Sequence, residues 1–299
     1  MRGVWLPLLL ATHVAATDID ALWNNMQPEE AEKQLRQAIN KAKQAGDQFT
    51  ANEALTQLAR AQGLQGRLDE AQATLDQVRD VLSDQSPTLS LRYSLERGRL
   101  WQAAGDRQKA WRWFHGAYVQ ATQQQRDFFA IDAMHMLATV DERSALDWHH
   151  KAINTAEKSR DPRSQYWLGT LYNNLGWIFY DQKDYSRALE YLQRAQAWHE
   201  VRKTGKPLLM ARWSVAKLHR VMEQPDIALP LQLALEKAWQ QTGEEDGYVY
   251  EEIGENLLAL GQNQEARPYF NRAFLVLAKD PWLVKNQAER LRRMYQLSQ

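Results

Sequence analysis

The stretch YNNLGWIFYDQKDYSRALEYLQRA, residues 172–195, decides the fold. Its apolar or small residues Leu175, Gly176, Phe179, Ala188, Leu192 and Ala195 fall three or four apart on either side of the polar turn QKD. Side chains at that spacing share one face of a helix, so the stretch reads as helix, turn, helix. Residues 250–273, YEEIGENLLALGQNQEARPYFNRA, repeat the arrangement through Tyr250, Ile253, Gly254, Leu257, Ala266, Phe270 and Ala273.

Working outward, Ala31, Ala71, Ala110, Ala145, Ala188, Ala228 and Ala266 hold equivalent sites, 35 to 43 residues apart, which gives seven copies. Seven residues after each come Ala38, Val78, Ala117, Ala152, Ala195, Leu235 and Ala273. Four after stand Leu35, Leu75, Phe114, His149, Leu192, Gln232 and Phe270, and twelve before stand Ile19, Ala59, Gly98, Ala133, Gly176, Ala216 and Gly254. A small, large, small stripe lets a neighbouring backbone approach at the small sites while the large side chain fills the groove. His149 and Gln232 depart from it, and Ile227 with Leu231 could carry the sixth stripe one residue earlier, which leaves that register open. Between the helices, Gly66, Gly105 and Gly261 share one offset, where the left-handed conformation ends a helix. The same turn is elsewhere VDERSA, QKDYSRA or EQPDIA, each with an Asp or Pro-Asp able to cap the next helix.

These residues resemble the tetratricopeptide repeat, whose first helix carries an apolar residue, Leu-Gly and an aromatic, and whose second carries Ala, Phe and Ala. The copies exceed the family's length of about 34 residues and are similar to the extended repeats of kinesin light chains and MalT-type regulators. The resemblance implies an all-α fold, a right-handed α-α superhelix or solenoid of about seven repeats. Their bounds are 17–46, 47–86, 87–124, 125–162, 163–203, 204–243 and 244–280, followed by a capping helix over 281–299 with Arg290, Arg292 and Arg293 on its solvent side.

The resemblance further implies that first helices build a concave wall receiving a protein or peptide partner. Carried onto this chain, the wall has Arg92 and Arg99 in copy three and an apolar patch of Ala130, Ile131 and Met134 in copy four. Asn173, Asn174 and Trp177 in copy five meet Trp213, Lys217 and Arg220 in copy six, and Glu251, Glu252 and Glu255 follow in copy seven. Amides can bond a guest backbone without reading its sequence, and Trp adds rigid contact area. The wall is expected to change from positive to negative along its length and to suit a guest of complementary charge.

Composition bounds the other possibilities. The 299 residues are 44% hydrophobic and 25% charged, enough for a sizeable core. Thirty-seven basic residues balance thirty-seven acidic ones, so no net field gathers nucleic-acid phosphates. With no Cys there are no disulfides, thiolate nucleophiles or lipoprotein anchor. Arg2 precedes the apolar run Val4 to Ala11, and Val14-Ala15-Ala16 offers small residues for cleavage, so residues 1–16 read as a signal peptide. That predicts a periplasmic or secreted product, or a cytoplasmic one if the leader does not function, without stable membrane insertion.

Chemistry is sparse. There is no phosphate loop and no nucleophile elbow, so no catalytic residue and no cofactor is assigned. His149-His150 and the pair Asp132 with His135 lack a third ligand, so no metal is expected. Of the twelve Trp, Trp101, Trp111, Trp113 and Trp148 sit in amphipathic stretches and read as core. The sequence thus points to a non-catalytic interaction scaffold, with self-association open and with a ligand-sensing module, working beside a separate signalling partner, as the alternative.

Overall fold

In the computed structural model, residues 19–22, 27–82 and 86–299 are described; the leader predicted over 1–16 lies outside them. The described chain is all-α. Its helices are α1 (Pro28–Gln44), α2 (Gln48–Leu64), α3 (Leu68–Arg79), α4 (Pro87–Ala103), α5 (Arg107–Gln123), α6 (Asp127–Val140), α7 (Ala145–Lys158) and α8 (Pro162–Asp181). There follow α9 (Tyr185–Arg202), α10 (Lys206–Val221), α11 (Pro225–Gln241), α12 (Gly247–Ala259), α13 (Asn263–Leu277), α14 (Pro281–Asn286) and α15 (Ala288–Leu297). Short 3-10 turns at Asp20–Leu22 and Glu142–Ser144 precede α1 and α7. No helix among the described residues is long and apolar enough to cross a membrane.

Two compact units divide the chain within α7, one ending at Trp148 and the other running from His149 to Gln299. In the first, each of α1 to α6 packs on the next, and α2 and α4 also touch α4 and α6 respectively. The second repeats the scheme: α8 to α13 pack in succession, α10 also touches α12, and α15 lies on α13. Pairs of antiparallel helices stacked on the next pair are the packing of a tetratricopeptide solenoid.

The small-large-small stripe is what sets the pairing. Leu35, Leu75, Phe114, Leu192 and Phe270 are all buried, as are the aligned alanines at 31, 71, 110, 188, 228 and 266. The notch opposite the large residue is tight enough to require glycine in three copies. A Cβ on Gly98 would stand 2.6 Å from Cδ1 of the Phe114 ring, one on Gly176 2.7 Å from Cγ of Leu192, and one on Gly254 2.9 Å from Cζ of Phe270. In copy six the slot is filled by Gln232, fully buried, while Ile227 and Leu231 are 43% and 40% exposed. The stripe therefore keeps the register of Ala228, Gln232 and Leu235, even though neither amide atom of Gln232 finds a hydrogen-bond partner.

Turns use one backbone conformation with different residues. Gly66, Gly105 and Gly261 have φ of +76°, +83° and +75°, and at the same offset Lys183 and Glu223 are held at 61° and 59°. Asp184 caps α9 by accepting from Arg187 N at 3.0 Å, and Asp141 accepts from Ser144 N at 3.3 Å. In EQPDIA the expectation holds only for Pro225, which opens α11; Gln224 takes the cap position without a side-chain cap bond and Asp226 lies inside the first turn. The predicted single capping helix is two. Asp280 caps α14 through Trp282 N at 2.8 Å, and the chain bends at Gln287, whose N–H donates to Leu283 O at 2.8 Å, so that Leu283, Leu291 and Met294 are all buried.

Gly98→Ala and Gly254→Ala should each lower the unfolding free energy by about 1–3 kcal/mol, because the facing ring cannot retreat within a packed pair. Gly116→Ala, in a helix with nothing near the added methyl, should raise it by about 0.5–1 kcal/mol. Urea titrations of the three variants check both signs. Gln232→Leu should stabilise by about 1–2 kcal/mol, since it removes an unsatisfied buried amide at similar volume; a lowered thermal midpoint would contradict this.

Candidate functional site

Within the second unit, the first helices of successive pairs bring one residue each to a common row. Trp177 on α8, Trp213 on α10 and Tyr248 on α12 are half-buried and stand 36 and 35 residues apart, so the row shifts by about one helical turn relative to the 40- and 38-residue repeat intervals at each step. The ring centroids of Trp177 and Trp213 lie 6.2 Å apart, as do those of Trp213 and Tyr248, and Tyr180 packs against Trp177 at 5.1 Å. Trp213 is fixed by its Nε1, which donates to Tyr248 O at 3.2 Å and so ties α10 to α12. Asn173 and Asn174, half-buried as well, precede Trp177 by four and three residues and thus share its face.

The charges sort into pairs that cross from one repeat to the next. Lys217 Nζ donates to Glu252 Oε1 at 2.7 Å, and Arg220 donates to both oxygens of the same carboxylate at 2.7 and 3.0 Å. Arg290 Nε reaches Glu251 at 2.7 Å, and Arg293 Nη2 reaches Glu255 at 3.0 Å. Burial alone would raise the carboxyl pKa of Glu252, yet the bonds from Arg220 and the charge of Lys217 hold it below its ordinary value. Lys217 also lies over the Trp213 ring at 5.0 Å and Arg290 over Tyr248 at 5.2 Å, both within cation–π range.

In the first unit the same kind of row is a closed ionic network. Arg92, buried, contacts Asp20 at 2.8 Å and Glu53 at 3.4 Å. Arg99 donates to Glu96 at 2.6 Å and to Asp132. Burial penalises the charge of Arg99, but Asp132 and Glu96 outweigh it and raise its pKa; burial, then Arg99 itself, draws neighbouring Arg60 down to about 10.

The expected site residues are thus all placed, but not all as a free surface. Asn173, Asn174, Trp177 and Trp213 line a row with Lys217 and Arg220, while Arg92 and Arg99 belong to the ionic network of the other unit. The expected run from positive to negative does not exist as an open field, because Glu251, Glu252 and Glu255 neutralise the cations beside them. On the cap, Arg292 and Arg293 are exposed as expected and Arg290 is half-buried; Arg292 pairs at 2.7 Å with exposed Glu289, and Arg293 pairs with Glu255. Ala130, Ile131 and Met134 are core residues, at most 4% exposed, because α6 is packed against both α4 and α5. Asp132 serves Arg99 rather than a metal pair with His135. Of the four core tryptophans expected, Trp148 is buried and Trp101, Trp111 and Trp113 are half-buried. Sequence reading missed Tyr248, which does not occupy the repeat position of Trp213 and so gave no periodic signal.

Comparison with known proteins follows the geometry. The tetratricopeptide-repeat family pattern matches residues 133–197. No curated protein sequence matches. Among solved structures, the signal transduction ATPase with numerous domains from Pyrococcus horikoshii, which has a tetratricopeptide-repeat sensor, aligns at TM-score 0.67 and 14% identity. That alignment covers 93% of this chain and 43% of the other, so this chain spans under half of that protein. The Cut9–Hcn1 assembly of the APC/C aligns at TM-score 0.55 and 14% identity, covering 92% and 48%. A kinesin-light-chain protein of nearly identical TPR-like repeats from Podosopora anserina reaches 0.35 at 18% identity, covering 76% and 94%. The first two establish the fold and nothing finer.

Replacing Glu252 by Gln should cost about 2–3 kcal/mol, since it leaves two partly buried cations facing an amide. Because the folded pKa of Glu252 lies below its ordinary 4.5, its ion pairs stabilise the fold above that value, and their contribution is lost as pH falls through the folded pKa. Thermal melts from pH 7 to pH 3 should therefore fall less steeply for Glu252→Gln than for the parent.

Proposed function

We propose that this tetratricopeptide-repeat protein is a non-catalytic scaffold that docks a protein segment along the row formed by α8, α10 and α12. The observation that carries the reading is the row itself: three successive first helices bring an aromatic side chain into one contiguous cluster, and these rings stay partly exposed where the stripe positions of the same helices are sealed. Partly exposed aromatics backed by fixed neighbours lose little conformational freedom on binding, which is why such residues dominate docking surfaces. Crosslinked capture of partners from the native cell should be saturable and should drop at least tenfold (about 1.4 kcal/mol) in the double variant Trp177→Ala, Asn174→Ala. Unchanged capture by that variant would remove the row from consideration.

A second reading has one observation in its favour. The sensor-bearing Pyrococcus horikoshii protein matches nearly the whole of this chain in fold, so a ligand-sensing module acting with a separate signalling partner fits the same architecture. A melting-temperature screen with metabolites and sugars separates the two, because a specific native-state ligand raises the midpoint.

The place of action we propose is the cell envelope. Arg2, the apolar run Val4 to Ala11 and the small residues at 14–16 support export. The N-terminal peptide of the protein from its native host should begin near Thr17; an intact Met1 end would contradict export.

A further inference from the structure

We infer that His199 is an acid-sensitive latch on the turn between α9 and α10: the neutral ring ties the turn down, and charging the ring releases it. The latch does not depend on what the aromatic row binds. His199 stands in the last turn of α9. Its Nδ1 lies 2.9 Å from Oγ1 of Thr204, and its carbonyl accepts from Thr204 N at 3.3 Å. Between the two residues Lys203 holds a φ of 49°, and Gly205 follows at 68°. A lysine keeps the left-handed conformation only while its surroundings impose it, and the two contacts of His199 with Thr204 span that residue. The same construction recurs at the other end of α10, where His219 Nδ1 lies 2.8 Å from Gln224 Oε1 and His219 O accepts from Gln224 N at 3.0 Å.

The opposite edge of the ring is packed against a main chain. A Cβ on Gly169 of α8 would stand 3.0 Å from Nε2 and 3.1 Å from Cε1 of His199, and 2.8 Å from Cε3 of Trp198. The Trp198 ring meets the imidazole in an edge contact at 4.9 Å. A neutral imidazole has one N–H to satisfy, and an imidazolium has two. Thr204 can serve Nδ1, but Nε2 is turned to a helix whose carbonyls already accept from their own following turn. The charged groups around the ring are engaged elsewhere. On α9, Glu200 accepts from Arg212 of α10 and from Gln196, each at 3.1 Å, while Arg202 lies over the Trp198 ring at 4.2 Å. On α8, Arg163 is paired with Asp161 at 2.9 Å and Tyr166 packs against Trp198 at 5.8 Å. On α10, Lys206 is paired with Glu244 at 2.6 Å.

Burial first, and then the charge of Arg202, hold the imidazole below its ordinary value of 6.5, and no carboxylate offsets them. An opened turn puts the ring in water, where it takes up a proton more readily. Opening is therefore coupled to protonation: the latch is at full strength above 6.5 and weakens as pH falls below that value, until the ring of the closed form titrates too. Since α10 carries Trp213, Lys217 and Arg220, the released end belongs to the helix at the centre of the row.

The test is run on the full chain between pH 7 and pH 5. Ring-proton NMR gives the midpoint of His199, assigned by its absence from His199→Gln, and hydrogen exchange, corrected for the intrinsic rate, gives the opening of the turn. The His199 midpoint should lie below 6.5. Amides of Thr204, Leu208 and Leu209, which the turn bonds, should lose at least about threefold in protection at pH 5, while those of α13 should not. His199→Gln keeps a side chain able to bond Thr204 but cannot charge, so its turn should be equally protected at both pH values. Thr204→Val keeps the ring and removes its bond, so its turn should already be less protected at pH 7. A His199 midpoint at or above 6.5 in the parent, a result that needs no variant to fold, overturns the inference. Turn protection that stays level in the parent, or that falls as far in His199→Gln, overturns it as well.

Discussion

One methyl group's worth of space governs this architecture. Where the first helix of a pair lacks a Cβ, at Gly98, Gly176 and Gly254, the large residue of the second helix, Phe114, Leu192 or Phe270, enters the notch until ring or branch meets backbone. That contact fixes how closely and at what rotation the two helices pair. Because the filling residue lies between the flanking small positions, such as Ala110 with Ala117 and Ala266 with Ala273, all fully buried, the following pair can stack against the same stripe. Each pair alone would leave that stripe wet, so burial and stacking are one requirement.

Stacking at a constant interval has an electrostatic consequence. Helices of one repeat lie against those of the next, and ion pairs recur across that boundary: Arg107 with Glu142 at 2.8 Å, Arg194 with Glu157 at 3.0 Å, Lys206 with Glu244 at 2.6 Å, and Arg272 with Glu236. The exposed members add little individually. The buried ones, centred on Glu252 and on Arg99, have a different effect: they penalise any slip of one repeat past the next, since a displaced partner would leave a charge unpaired in the interior. Register between repeats is thus held by apolar notches within pairs and by charge between them.

This division explains what the sequence could and could not disclose. The stripe was legible because it is periodic and involves residue size alone; it placed the glycines opposite the large residues, whereas the sixth copy's register, left open by the polarity of Gln232, is fixed only by the burial of that side chain. The turn glycines were legible too, while Lys183 and Glu223 show the same left-handed backbone imposed by the helices on either side, a tertiary effect that a residue type does not announce. Charge partners were not legible. Lys217 and Glu252 are 35 positions apart, and until the pairs are stacked nothing says that a wall read as basic then acidic is one in which each sign cancels the other. Ala130, Ile131 and Met134 failed for a related reason, because the face of α6 taken for an open wall is also the face against which α4 closes.

The exposed aromatics gain meaning from that cancellation. If Lys217 and Arg220 were unpaired, they would pull the Trp213 region toward acidic guests and would need water around them, and the rings would be incidental. With Glu252 held in its charged form between the two, the cations instead act as supports. Lys217 lies over one ring, Arg290 over another, and the indole N–H of Trp213 is spent on a main-chain carbonyl of the next repeat. The polar groups that would otherwise compete for a guest are committed to holding the rings still. A surface built this way is rigid before a partner arrives.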